Sequence, residues 1–175
     1  VKAANGEIIV FIDDHIIVND NFIKEHLAYH HKFKDSNLGA VRGHMEFIDH
    51  PQEVPPKPKE LPFLAKLEKR LNEQDPLRFH TGNVSISKSA FLAIGGFDKK
   101  IKEYGFEDQE FGYRLKKAGY RIKFNPKAIG YIFKVNFDFI KDCDKARQAG
   151  HCAVLCYHKF PWFGWRTGAN PINLL

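Results

Sequence analysis

The sequence predicts an α/β layered domain, and three observations carry that prediction. Apolar runs of strand length alternate with helix-periodic stretches along the whole chain. Gly and Pro punctuation falls between them, and no internal repeat or low-complexity segment interrupts the pattern. The expected sheet is mixed and mainly parallel with flanking helices, because the run Ile8–Ile9–Val10 shows no polar alternation and so reads as buried on both faces. With 175 residues, 43% of them hydrophobic, the chain is long enough to bury a real core as one domain spanning 1–175.

Taken in order, "VKAANG" reads as the end of a helix with a glycine stop, followed at once by a strand over 7–12. A strand so apolar needs neighbours from upstream, so the chain reads as starting in mid-fold. A helix over 20–33 follows, with Phe22, Ile23, Leu27 and Phe33 as an imperfect apolar stripe. Its His26, His30 and His31 read as an exposed helix face, since no carboxylate motif accompanies the i, i+4 pair. After a strand over 38–48, the Pro-rich stretch 49–59, "DHPQEVPPKPK", is a loop suited to act as a lid. A helix over 61–72 precedes a strand over 79–86 and a short helix over 87–94, capped by Ser87 and stopped by Gly95–Gly96. The helix over 107–118 ends at Gly119 with Lys116 and Lys117 in its last turn, where cations suit the dipole. Asn125–Pro126 separates strands over 121–124 and 128–135, and a helix over 137–158 opens the C-terminal segment 136–175.

Composition narrows the partners. A net charge of +6 and a pI near 9.2 favour anionic ligands. No nucleic-acid motif accompanies the charge, so no nucleic-acid role is expected. No apolar run reaches the roughly 18 residues of a membrane span. Cys143, Cys152 and Cys156 match neither a zinc module nor a disulfide framework; Cys152 and Cys156 read as buried thiols on a helix, which fits a reducing, cytoplasmic setting. The tail "HKFPWFGWR" sets Phe160, Trp162, Phe163 and Trp165 beside Lys159 and Arg166, a pattern that serves sugar stacking, peripheral membrane contact or core packing alike.

The chemistry concentrates in "FIDDH", where a buried-looking strand runs straight into two carboxylates and an imidazole. Ligands of open α/β sheets gather at the carboxyl ends of strands. In extended backbone Asp13 and His15 share one face while Asp14 points away, an O,N donor pair suited to a cation such as Mn²⁺, although a turn uses the same residues. The second constellation is "EYGFEDQEFGYRL". Gly105 loosens the backbone before Glu107 and Asp108 at a helix start, where the dipole favours an ionised carboxylate able to act as a general base. Between them, Gly82 permits close backbone approach and Asn83 offers both a donor and an acceptor, which suits either a polyhydroxylated ligand or a strand-entry turn.

The series "GEIIVFIDDH", "TGNVSISKSAFLAIGGFDKKI" and "GFEDQEFGYRLKKAGYRIKFNP" resembles the family-2 type nucleotide-sugar glycosyltransferases of GT-A fold over roughly residues 1–132. The resemblance implies that Asp13, Asp14 and His15 occupy the D-x-D position, which binds the nucleotide's ribose and, through Mn²⁺ or Mg²⁺, its diphosphate. It implies that Asp108 of the Glu107–Asp108 pair is the base that deprotonates an acceptor hydroxyl, and that Gly82 and Asn83 line the sugar pocket. The implied partners are a nucleotide-diphosphate sugar and a carbohydrate or glycolipid acceptor. The resemblance also implies first, nucleotide-binding strands upstream of Val1. One base and no covalent intermediate imply inversion of the anomeric centre. His15 in place of the last Asp departs from the pattern, as a D-x-H variant is familiar in the retaining polypeptide N-acetylgalactosaminyltransferases. The Q-x-x-R-W signature of processive synthases is absent, which favours transfer of single sugars. Two rival readings are a non-catalytic carbohydrate-binding or assembly module and a metallophosphohydrolase built on Asp13, Asp14 and His15.

Overall fold

The computed structural model describes residues 1–50, 54, 60–133 and 138–167. Its five-stranded sheet is assembled from β1 (Ile8–Ile12), β2 (Ile16–Val18), β3 (Leu38–Ile48), β4 (Asn83–Ser87) and β5 (Arg121–Phe133), in the order β1-β4-β3-β5-β2. The helices are α1 (Phe22–Lys32), α2 (Phe63–Leu71), α3 (Lys88–Ala93), α4 (Glu107–Lys117), α5 (Phe139–Lys159) and α6 (Pro161–Trp165), with a 3-10 turn at Pro76–Arg78.

The sheet is mixed, as expected, but its parallel share is smaller than the sequence suggested. Only β3–β5 is parallel, while β1–β4, β3–β4 and β2–β5 are antiparallel. The apolar β1 is an edge strand here, paired to β4 alone among the described residues. The two strands expected around Asn125–Pro126 are one. Pro126 has no N–H to give the ladder, so the register jumps from Arg42↔Phe124 to His44↔Ile129 across a bulge. Asn125 replaces the lost ladder bonds: its Nδ2 donates to Glu25 O at 2.9 Å and its Oδ1 accepts from Lys127 N at 3.0 Å. The strand expected over 79–86 begins only at Asn83, because Pro76–Arg78 coil into the 3-10 turn. The Pro-rich stretch lies outside the described residues except at 49, 50 and 54, as do 134–137 and the tail beyond 167.

The main core lies between one sheet face and helices α3 and α4. Ala40, Val84, Ile86 and Ile122 meet Phe79, Phe91, Phe111 and Leu115, all buried. Phe97, from the Gly-Gly turn, packs on Phe11, Phe91 and Phe111 with ring centroids 5.9, 5.5 and 4.9 Å apart. Such pairs add about 0.5–1.5 kcal/mol each beyond their buried area. Ser87 caps α3 by accepting from Ala90 N, as its sequence position predicts. Cys152 and Cys156 are buried free thiols; Cys143 is exposed. Phe163 is buried, and both it and Phe160 pack on Tyr113 of α4 at 4.8 Å, so this part of the aromatic tail is core. Trp165 remains exposed. Among the described residues, no helix is long and apolar enough to cross a membrane.

The opposite sheet face overturns the reading of α1. Ile23 and Leu27 of the expected stripe are exposed, while Phe22 and His26 are buried. The reason is the strand sequence N-V-S: Asn83 and Ser85 share one face of β4 and need polar partners there. His26 Nε2 donates to Asn83 Oδ1 at 2.9 Å, and its Nδ1 accepts from Ser85 Oγ at 2.8 Å. His30 Nε2 donates to the same Ser85 Oγ at 2.9 Å. Asn83 Nδ2 then donates to His44 O and Ala128 O, at 2.8 and 3.0 Å. These bonds assign His26 as the neutral Nε2–H tautomer. Burial depresses the pKa of His26 to about 4, against the Asn83 bond, and burial with the nearby His26 does the same to His30.

Candidate functional site

The chain leaves β1 at one sheet edge and enters β2 at the other through a tight turn, in which Ile16 N donates to Asp13 O at 3.2 Å. That crossing brings Asp13 against Gly82. A Cβ on residue 82 would stand 2.7 Å from Asp13 Oδ2, so the close approach anticipated at Gly82 is made by this carboxylate. In the same turn His15 Nδ1 lies 3.3 Å from Asp14 Oδ1, and Asp14 is exposed. The shared face of extended strand expected for Asp13 and His15 gives way to a turn at residues 14 and 15, so it is the turn that brings them near one another in the chain.

From the other side comes the N-terminus of α4. Gly105 (φ 105°) and Phe106 (φ 63°) both adopt left-handed backbone, and for Phe106 this costs about 1 kcal/mol. The kink seats Gly105 on Ala149 of α5, leaving no room for a Cβ there, and delivers Glu107 and Asp108 to the cleft. Asp108 accepts from Thr81 N at 2.7 Å and from Thr81 Oγ1 at 2.8 Å. Burial pushes its carboxyl above the ordinary aspartate value, against the Thr81 bonds and aided by the charge of Asp13. The Oε2 of Glu107 is buried without a hydrogen-bond partner among the described residues. A carboxylate oxygen left so is costly to bury unless a ligand donates to it.

The result is a cleft of about 600 Å³ whose walls include Asp13, His80, Gly82, Tyr104, Glu107 and Asp108. A larger cavity, about 810 Å³, opens between the Gly95–Ile101 loop and α5 and shares no lining residue with it. Of the residues singled out from sequence, Asp13, Gly82, Glu107 and Asp108 meet in the cleft; Asp14 and His15 stand beside it in the turn. Asn83 does not line the cleft but the smaller pocket next to it, and its amide is given over to His26 and two carbonyls. Sequence reasoning missed Thr81, which holds Asp108, and His80, whose Nδ1 lies 3.2 Å from Gln109 Nε2. Partial burial and Arg42 lower the His80 pKa, against Glu107 and Asp13. Their position beside "TGN" was the available signal.

For a divalent cation, the turn offers Asp13 and His15. Among the described residues no hydrogen bond occupies the Asp13 carboxylate, and one oxygen and one imidazole donor suit Mn²⁺ when a ligand supplies further oxygens. No group of three His, Cys, Asp or Glu residues able to hold a metal alone is assembled among the described residues. The donor set therefore fits a cation shared with a bound diphosphate.

Comparison with known proteins agrees with this geometry at the level of fold. Residues 66–137 match a family profile described as the N-terminal domain of galactosyltransferase, a span that includes Thr81, Gly82, Glu107 and Asp108. No curated protein matches. The mannosyltransferase PcManGT from Pyrobaculum calidifontis, solved with GDP-Man and Mn²⁺, superimposes with a TM-score of 0.55 at 18% identity, over 98% of this chain and 47% of its own. GalNAc-T7, solved with UDP, GalNAc and Mn²⁺, superimposes with a TM-score of 0.54 at 18% identity, over 76% of this chain and 28% of its own. The chain has the GT-A glycosyltransferase fold and spans less than half the length of these two neighbours.

Proposed function

We propose that this chain carries the catalytic half of a glycosyltransferase of family-2 type, which moves one sugar at a time from a nucleotide-diphosphate donor to a carbohydrate or glycolipid hydroxyl. The observation that carries the reading is the meeting of Asp13 and Asp108, remote in sequence, in one cleft. A hydroxyl nucleophile has a pKa far above 7, so its proton must leave as attack proceeds. Asp108 is placed to take it, and burial makes it a stronger base than an exposed aspartate. Thr81 fixes the carboxylate's orientation through two hydrogen bonds, leaving other lone pairs for the acceptor. Glu107 Oε2 is positioned to accept from a sugar hydroxyl, which supplies the partner it lacks. Gly82 lets Asp13 reach the cleft, and Asn83 holds the strand end beneath both.

Asp13 and His15 would hold Mn²⁺ or Mg²⁺, with Asp14 beside them toward the nucleotide. Such a cation, when bound, stabilises the negative charge that develops on the departing diphosphate. With Asp108 as a single base acting on the acceptor hydroxyl and no covalent intermediate, transfer would invert the anomeric centre. The three free thiols suit a cytoplasmic site of action.

Asp108→Asn tests the assignment. Transfer, followed as release of the nucleoside diphosphate, should fall by about 10²-fold or more while donor binding stays within a few-fold. Transfer at the wild-type rate removes Asp108 from the role of base.

A further inference from the structure

Next to the cleft, separated from it only by His80 and Met45, which line both, lies a smaller pocket of about 220 Å³. Arg42, Lys69 and Arg78 converge on it around the ring of Phe124, and among the described residues no carboxylate lines it. Arg42 is 9% exposed, and its Nε is buried without a hydrogen-bond partner among the described residues. Among the described residues its other nitrogens donate to backbone carbonyls alone, those of Arg78 and, at 3.3 Å, Asn72. Its guanidinium carbon and Lys69 Nζ stand 6.0 and 5.5 Å from the Phe124 centroid.

The nearby acids are already paired. Glu73 pairs with Lys123 at 2.5 Å and Asp75 with Arg166 at 3.0 Å, both outside the pocket, while Glu68 pairs with the pocket's own Arg78 at 3.0 Å. Among the described residues three cations thus face one small space with Glu68 as the counter-charge on its rim. Burial and the neighbouring Arg78 depress the pKa of Arg42 to about 10, so it is charged at neutral pH with its Nε unpartnered among the described residues, and burial lowers the pKa of Lys69. A buried cation left in that condition is costly unless an anion completes it.

We propose that this pocket is an anion subsite of the acceptor, taking a carboxylate or phosphate carried by the sugar whose hydroxyl is presented to Asp108. It rests on the proposed function for that placement, and it makes the enzyme selective for acidic glycans. Arg42 and Arg78 present planar forks matched to carboxylate and phosphate oxygens, and Lys69 adds a point charge. Phe124 forms an apolar floor for the ring that bears the anion.

The test needs neither donor nor turnover, so it can succeed or fail independently of Asp108→Asn. Methyl glucuronide, glucose 6-phosphate and the neutral methyl glucoside are titrated into the wild-type chain at low salt, with calorimetry or chemical shifts as the readout. At least one acidic ligand should bind ten-fold or more tightly than the neutral one, and which one does so separates a carboxylate from a phosphate. That preference should be lost in Lys69→Gln and Arg78→Gln, whose side chains are exposed enough to be replaced without disturbing the core. Equal binding of all three ligands overturns the proposal, as does a preference that survives both substitutions. Displacement of the acidic ligand by UDP would assign the pocket to the donor and overturn its assignment to the acceptor.

Discussion

Two carboxylates stand almost side by side on α4 and meet opposite fates. Glu110 is fully buried, and its oxygens accept from Arg114 Nε at 2.8 and 2.9 Å, from Arg114 Nη2 at 2.7 Å, and from Lys159 Nζ. Arg114 goes on to the carbonyls of Ile94 and Gly96 at 2.8 and 2.7 Å, and Lys159 to Asp98 at 2.6 Å. Every charge in that knot is answered within the chain, and it ties α4 to α5 and to the loop after α3. Asp108 is answered only by Thr81, and Glu107 keeps an orphan oxygen. The same helix therefore closes its charges where it holds the fold and leaves them open where it faces the cleft. Acidity marks neither role; the state of the partners does.

The contrast can be broken by substitution, and the largest effect belongs to the closed knot. Arg114→Met leaves Glu110 buried with Lys159 as its one cation, and should cost about 3–5 kcal/mol of stability in denaturant unfolding. Asp108→Asn, by contrast, should leave stability within about 1 kcal/mol of wild type. The sign follows from its raised pKa: the folded state holds the Asp108 proton more tightly than the unfolded state, so ionisation at neutral pH opposes folding. By the same shift, the acid limb of the transfer profile should lie above the ordinary aspartate value.

A middle-sized effect comes from the buried imidazoles. His26 must stay neutral in the fold, so its contribution is complete above the unfolded value of 6.5 and is lost as pH falls from there toward about 4. For a group so buried, that depression corresponds to roughly 3 kcal/mol. Unfolding free energy measured between pH 7 and 4 should drop steeply, and His26→Gln should flatten the slope without removing the shares of His30 and His44, both also depressed to about 4 by burial. Gly82→Ala should act on the site rather than the fold. Its Cβ crowds the end of the Asp13 side chain, which can swing aside, and meets Ile16 Cδ1 at an ordinary 3.4 Å; Mn²⁺ affinity should fall several-fold while stability changes by less than about 1 kcal/mol. The smallest effect is expected at Arg147, whose exposed pair with Asp144 resembles the Arg114 pair only in distance; Arg147→Ala should cost under about 0.5 kcal/mol.

Much of this was legible before the coordinates. The order of strands and helices, the cap at Ser87, and the dipole-complementing ends of α4 follow from local chemistry, and "FIDDH" and "GFED" announced themselves by carboxylates where turns or caps need fewer. What stayed hidden depends on partners distant in sequence. His26 read as surface because nothing near it shows that Asn83 and Ser85 will arrive on its face of β4. The three residues of β2 are too few to show a period, and β2 exists because β5 offers it an edge. The turn that carries Asp13, Asp14 and His15 could not be told from extended backbone by composition. The basic pocket was invisible for a further reason: Arg42, Lys69 and Arg78 are unremarkable in the sequence, and only folding shows that the acids beside them are taken.

The central claim is that the cation held at the Asp13 turn and the Asp108 carboxylate serve one cleft. Paramagnetic broadening by Mn²⁺ in the presence of UDP tests it most directly. The amides of Thr81, Gly82 and Asp108 should broaden first, together with those of residues 13–15, and Asp13→Asn should abolish the effect. Broadening centred elsewhere, or unchanged in Asp13→Asn, would contradict it.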